Sequence, residues 1–178
     1  MRITGGNLKG RQLGGGFASH VRPTTDMVRE AIFNKLEHAG GIAGAVVLDL
    51  FSGSGIIAME FLSRGAERVI SVDRDGKNQA FQKKNAREFG LSNWEITRAD
   101  VMKYLPVCNA HFDFVFADPP YDMPGIQQLP ALVYPLLKPD GCFVLEHRPD
   151  IQFDNTPTET RRYGSTTCSI FAAASHGN

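Results

Sequence analysis

The 178-residue chain has only three cysteines, at positions 108, 142 and 168. An odd number of thiols so far apart fits reduced, buried cysteines in a cytosolic protein, not a disulfide framework or a zinc site. The five histidines (20, 38, 111, 147 and 176) show no metal-ligand spacing, so no metal is expected. No apolar run approaches the ~18 residues that a membrane span needs. The opening Met1-Arg2-Ile3-Thr4-Gly5-Gly6 has no apolar signal-peptide core, so export is not expected. Net charge is absent too, with 19 basic residues against 19 acidic ones. The chain therefore does not announce itself as a globally basic nucleic-acid binder.

Acid is missing locally as well. Residues 1–25 carry Arg2, Lys9, Arg11 and Arg22, and the first carboxylate is Asp26. This segment also holds six glycines (5, 6, 10, 14, 15 and 16). Such a cationic arm suits a nucleic-acid backbone, or is simply a solvated N-terminus that forms a small hairpin or stays loose. The remainder, 26–178, has ordinary globular composition: 42% of the whole chain is hydrophobic and 21% charged. Its length predicts one domain burying roughly 70% of its unfolded surface.

From Thr24 onward the pattern is helical, with Thr24-Thr25-Asp26 as cap candidates and Gly40-Gly41 as the stop. Strands and helices then alternate. Strands are expected at 45–51, 68–73, 94–97, 112–117 and 142–146, and helices at 55–64 and 76–89. A helical stretch at 125–137 is interrupted by Pro130 and Pro135. Lys138-Pro139-Asp140-Gly141 reads as a turn in which Gly141 takes the left-handed position. Segments 158–163 and 167–172 read as a closing antiparallel pair. This alternation predicts an α/β domain with a mainly parallel sheet, whose ligands bind beyond the carboxyl ends of the strands.

Four of those ends carry an acid: Asp49, Asp73, Asp100 and Asp118. The first opens into Asp49-Leu50-Phe51-Ser52-Gly53-Ser54-Gly55. Its glycines allow a tight turn and close approach of a ligand to the backbone, and the helix that follows offers free amides. Gly53-Ser54-Gly55-Ile56-Ile57-Ala58 also satisfies the dinucleotide pattern, with Asp73 twenty residues beyond Gly53. A nicotinamide cofactor is therefore one reading. Asp49 opposes it, because a carboxylate there would repel a pyrophosphate. It suits a ligand with a cationic amino group, such as S-adenosylmethionine, with Asp73 accepting from ribose hydroxyls and Asp100 from the adenine amine.

At the fourth strand end, two prolines hold Asp118-Pro119-Pro120-Tyr121 extended. The Asp118 carboxylate and the Pro119 carbonyl can then accept both N–H bonds of a planar amine and aim its lone pair at an electrophilic methyl. Asp118 can take the proton released after methylation. Tyr121 offers a ring face for an extruded base. Guanine, adenine and a protein glutamine all present such an NH2 group, and a binding module without turnover is a fourth possibility.

Beyond these readings, the chain resembles the class I methyltransferases, and specifically the RsmD family of 16S ribosomal RNA guanine-N2 methyltransferases. The resemblance is carried by Arg2-Ile3-Thr4-Gly5-Gly6, by Leu8-Lys9-Gly10-Arg11-Gln12-Leu13, and by the block from Arg22-Pro23-Thr24-Thr25-Asp26 to Phe33-Asn34, besides the two strand-end motifs. It implies a Rossmann-like seven-stranded mixed sheet with an antiparallel last strand after a short N-terminal extension. By that similarity Asp49, Phe51, Ser52, Gly53, Gly55, Asp73, Arg74, Asp100 and Val101 would bind S-adenosylmethionine. Asp118, Pro119, Pro120 and Tyr121 would form the active site, with Arg22, Pro23 and Thr24 in a block near its mouth. The expected RNA contacts are Arg22 and Thr24 together with the arm cations Arg2, Lys9 and Arg11. The implied partner is ribosomal RNA, free or within an assembled small-subunit particle.

Overall fold

A computed structural model describes residues 1–14 and 25–174. Of the two forms open to the N-terminal arm, a small hairpin or a loose segment, its first thirteen residues take the hairpin. Arg2 bridges to Gln12, and the Ile3 amide donates to the Arg11 carbonyl at 3.0 Å. Ile3 is fully buried. Helix α1 (Asp26–Ala39) follows, capped by the Thr25 hydroxyl, which accepts from the Val28 amide.

Strands β1 (Val46–Leu50), β2 (Arg68–Asp73), β3 (Trp94–Arg98), β4 (Phe112–Ala117), β5 (Leu137–His147), β6 (Glu159–Tyr163) and β7 (Thr166–Ala172) form one sheet in the order β3-β2-β1-β4-β5-β7-β6. The pairs from β3 through β5 are parallel, while β7 runs antiparallel to both β5 and β6. Helices α2 (Ile56–Ser63), α3 (Gly76–Glu88), α4 (Val101–Tyr104) and α5 (Leu129–Val133) are the crossovers. Each expected strand is present. The two prolines do fragment the 125–137 region, leaving α5 between two single 3-10 turns.

Side chains alternate along the strands into two cores. Val47, Val69, Phe114 and Phe116 pack with α1 and α2 on one face, and Leu48, Leu50, Val72 and Val115 with α4 and α5 on the other. The 138–141 segment differs from expectation. It is a bulge inside β5, where the register with β4 slips between Phe112↔Leu137 and Phe114↔Cys142. Asp140 takes the left-handed conformation (φ 63°), and Gly141 does not. Gly141 is needed for lack of bulk, since a Cβ there would sit 3.0 Å from the Phe112 carbonyl oxygen and 2.9 Å from that of Lys138.

All eight residues of α2 are buried, including Glu60. Glu60 Oε1 accepts from the Thr4 amide (2.7 Å), the Thr4 hydroxyl (2.8 Å) and Arg29 Nε (3.0 Å). Its Oε2 lies 3.4 Å from Arg64 Nε. Arg29 also donates to the Arg2 carbonyl and to Asp26 (2.7 Å), and Arg64 to Glu37 (2.9 Å). Ser63 completes the joint, accepting from the Asn7 and Leu8 amides and donating to the Gly5 carbonyl. Gly6 (φ 74°) allows this approach, because a Cβ there would fall 1.9 Å from the Ser63 carbonyl oxygen. Over their described residues, the N-terminal motif blocks thus form a charged joint between the hairpin, α1 and α2.

Candidate active site

The strand order reverses between β1 and β4, which makes their carboxyl ends the switch point where open α/β sheets bind ligands. A cleft of about 1080 Å³ opens there, and Asp49, Asp73, Asp100 and Asp118 all line it. The four acids read from separate strand ends therefore share one cavity.

The loop after β1 is strained and held from below. Phe51 has φ 55°, a conformation costly for a side chain of its size. The Ser52 amide donates to the Val72 carbonyl (3.2 Å), and the Gly55 amide to the Ser52 carbonyl (2.8 Å). Buried Gln82 on α3 donates to both the Ser52 hydroxyl and the Gly53 carbonyl at 2.8 Å. Gly55 (φ 83°) leaves no room for a side chain, since a Cβ would lie 2.6 Å from the Trp94 ring. That ring is fixed by its own N–H, which donates to the Ser71 hydroxyl at 2.8 Å. Gln82 and Trp94 were not legible as loop supports, because each reads as an ordinary helix or strand residue.

Asp73 accepts from the Gly53 amide (Oδ2, 2.8 Å) and the Asp75 amide (Oδ1, 2.8 Å), so it shapes the loop as well as facing the cleft. Arg74 lines the same wall. Asp100 caps α4 through the Lys103 amide, and Val101 behind it is buried. Asp49 is 1% exposed, and its Oδ2 has no hydrogen-bond partner. Burial pushes its carboxyl well above the usual range. The Ala58 amide and Ser71 hydroxyl pull it back in part, and the nearby Asp73 charge adds to the rise. A buried acceptor facing a cavity without a donor calls for a cationic or N–H-bearing group.

Across the switch point, burial also raises the Asp118 carboxyl well above its ordinary value, with further contributions from Glu146 and then Asp49. Pro119 is buried beside it, and the turn that follows takes its hydrogen bond at Pro120, whose carbonyl accepts from the Met123 amide at 3.0 Å. The Pro119 carbonyl is not consumed by that turn. Tyr121 is 62% exposed, and the Arg148 guanidinium lies over its ring at 5.3 Å. Arg148 is fixed in turn by Asp150, through bonds of 2.9 and 2.7 Å. Asp118 to Tyr121 also line a small niche with Glu146, His147 and Arg148. Glu146 was missed by sequence reasoning although its signal was present: it closes the expected strand 142–146 as the other acids stand at the ends of theirs.

Among the described residues, the cations expected to meet RNA (Arg2, Lys9 and Arg11) do not line the cleft. Arg2 is exposed and lies 4.0 Å from Asp26. Lys9 is exposed on the hairpin, and Arg11 stacks over Phe89 at 5.1 Å beyond the end of α3. Neither Lys9 nor Arg11 lines the cleft, although Met1 does. Arg22 and Thr24 lie outside the described residues. Among the described residues no helix is long and apolar enough to cross a membrane, and no three His, Cys, Asp or Glu side chains could hold a metal ion.

A family model described as Conserved hypothetical protein 95 matches residues 1–172. The protein YlbH of Bacillus subtilis is 35% identical over 182 residues, covering 96% of this chain and 98% of that one. Ribosomal RNA small subunit methyltransferase D of Escherichia coli K12 is 37% identical over 123 residues, 68% of this chain and 60% of that protein. The solved structure of yhhF from Escherichia coli matches with a TM-score of 0.86 at 26% identity, covering 99% of both chains. The sheet, with β7 antiparallel, is the class I methyltransferase fold, and the chain belongs to the Conserved hypothetical protein 95 family, the RsmD-type methyltransferases that its N-terminal motifs resemble.

Proposed function

We propose that the protein transfers a methyl group from S-adenosylmethionine to the exocyclic N2 amine of a guanine in small-subunit ribosomal RNA. The observation that carries this reading is the single cleft joining the Asp49–Asp73–Asp100 wall to Asp118 and Pro119. The Escherichia coli relative, named for small-subunit ribosomal RNA, supports the substrate class.

The unpartnered Asp49 Oδ2 and the glycine cradle fit S-adenosylmethionine. When bound, it supplies a sulfonium-borne electrophilic methyl. Asp49 would hold its ammonium group and Asp73 its ribose hydroxyls. Phe51, Ser52, Gly53 and Gly55 would line the chain of the ligand, with Arg74 at the rim and Asp100 and Val101 at the adenine. Asp118 and the Pro119 carbonyl would accept the two amine N–H bonds and direct the lone pair, so the residues act by orientation and by charge placed in advance. Asp118 then accepts the amine proton. Pro120 keeps the backbone extended, and Tyr121 stacks on the extruded base. Arg2, Lys9 and Arg11 stand as phosphate contacts outside the cleft.

The test is labelled methyl transfer to small-subunit rRNA, followed by nucleoside mass spectrometry. N2-methylguanosine is expected. N6-methyladenosine would replace guanine by adenine as the target, and label in protein glutamine would replace RNA altogether.

Cofactor affinity should also depend on pH with a defined sign. Asp49 and Asp118 have raised folded-state values, so the ligand-free protein retains protons there that the unfolded chain has lost. Their contribution to stability thus declines as pH rises above the usual carboxylate range. A cationic ligand favours the ionised forms, so S-adenosylmethionine should bind more tightly across the same rise and release protons. Calorimetric titration between about pH 5.5 and about pH 8.5, in buffers of different ionisation enthalpy, reads both effects. A flat profile without proton release would detach these carboxyls from cofactor binding.

A further inference from the structure

We propose that Glu146 is the residue that selects guanine, by accepting the N1–H beside the amine that Asp118 holds. This inference rests on the guanine-N2 reading above and names what reads the base. The parallel register Ala117↔Leu145 places the next residue of each strand, Asp118 and Glu146, side by side at the carboxyl edge of the sheet. Both line the cleft, and both line the niche that Tyr121 also borders. Glu146 is 7% exposed, so a group reaching it has left bulk water. Their closeness is also felt electrostatically at Asp118.

The chemistry of the two purines separates them at this point. On its Watson–Crick edge guanine carries an N2 amine next to an N1–H, a continuous row of donors. Adenine carries an N6 amine next to a bare N1 lone pair. Two neighbouring carboxylates are acceptors when ionised and match the guanine row. Adenine would satisfy Asp118 through its amine but set its N1 lone pair against a carboxylate oxygen of Glu146, two acceptors with no proton between them. An amine-holding motif such as Asp118 to Tyr121 cannot make this distinction, because both bases offer it the same NH2. Flipped bases are read on this edge, so an acceptor one strand over is where discrimination belongs. The bonds of Asp118 and Pro119 to the amine leave this N1–H contact to a further residue, and Glu146 occupies the adjacent position.

The experiment uses the full chain and rRNA carrying, at the mapped methylation site, either guanine or 2,6-diaminopurine. The analogue keeps the N2 amine and replaces N1–H with a lone pair. Wild-type protein is expected to prefer guanine by about tenfold to about a hundredfold in kcat/KM, the range of a well-placed base contact. Glu146→Gln, whose amide both donates and accepts, is expected to reduce that preference to about threefold or less by gaining on the analogue. S-adenosylhomocysteine binding and thermal unfolding show that the variant is folded. Equal use of the two bases by the wild type overturns the inference and needs no variant. So does a Glu146→Gln protein that keeps the wild-type preference. Wild-type methylation of adenine in place of guanine overturns the guanine reading itself, a result that the nucleoside analysis distinguishes from the other two.

Discussion

Asp118→Ala lowers methyl transfer by about 10²–10³-fold while S-adenosylhomocysteine still binds. The size follows from removing one preorganised polar partner of the reacting group from a water-poor site. The carboxylate has two roles, orienting the amine and accepting its proton, and Asp118→Asn separates them. The amide oxygen still accepts an N–H bond, but it cannot take up the proton, so turnover should fall between wild type and alanine. Stability should move the other way. Asp118 is desolvated and faces Glu146 and Asp49, so its ionised form is disfavoured in the fold. Either substitution removes that repulsion, and the ligand-free melting temperature at neutral pH should stay the same or rise, as at other sites where function holds groups in an unfavourable state. Single-turnover rates with labelled cofactor, ligand titration and thermal scans measure the three effects. Normal turnover in Asp118→Ala would remove this residue from the mechanism.

The second large effect concerns folding. Glu60→Ala leaves Arg29 and Arg64, whose side chains are 1% and 2% exposed, without their shared carboxylate. Removing one partner of a buried ionic group costs about 3–5 kcal/mol, against a total stability of roughly 5–15 kcal/mol. In a domain of this size that is roughly a 10 °C fall in melting temperature. Glu60→Gln keeps acceptor oxygen for Thr4 or Arg29 and should lose less. Because Thr4 is tied to Glu60 by both its amide and its hydroxyl, amide exchange in the first thirteen residues should accelerate in the alanine variant more than in β1 or β4. A small melting shift with unchanged exchange would show that the joint contributes little.

The elements that position the cleft were legible because they obey local rules. Apolar runs gave the strands, a glycine pair after a strand gave the loop, and two prolines gave the extended Asp118–Tyr121 segment. What was hidden depends on distant partners. Glu60 lies in an otherwise apolar helix, and only the fold brings Thr4 and Arg29 to it. Gln82 supports the Ser52–Gly53 turn from α3, thirty residues away in sequence. Charge and glycine left a small hairpin and a loose arm both open for the N-terminal block, and neither signalled that Ile3 would be fully buried. At 138–141, glycine was assigned the left-handed position by turn chemistry. Crowding against backbone oxygens reserved Gly141 for close approach and left the unusual φ to Asp140. Glu146 was overlooked for a different reason: the rule applied to the first four strand ends also held at the fifth.

The placement of β7 between β5 and β6 has a consequence for how the chain matures during synthesis. β6 is made before β7 but has no ladder to join until β7 arrives, because among the described residues it pairs with β7 alone. Until then the edge of β5, with Phe143, Val144 and Leu145 along it, stays open. A nascent or prematurely terminated chain ending near Ser165 would therefore display an adhesive apolar border, a template for strand addition by other chains. Emergence of the final strand seals that border.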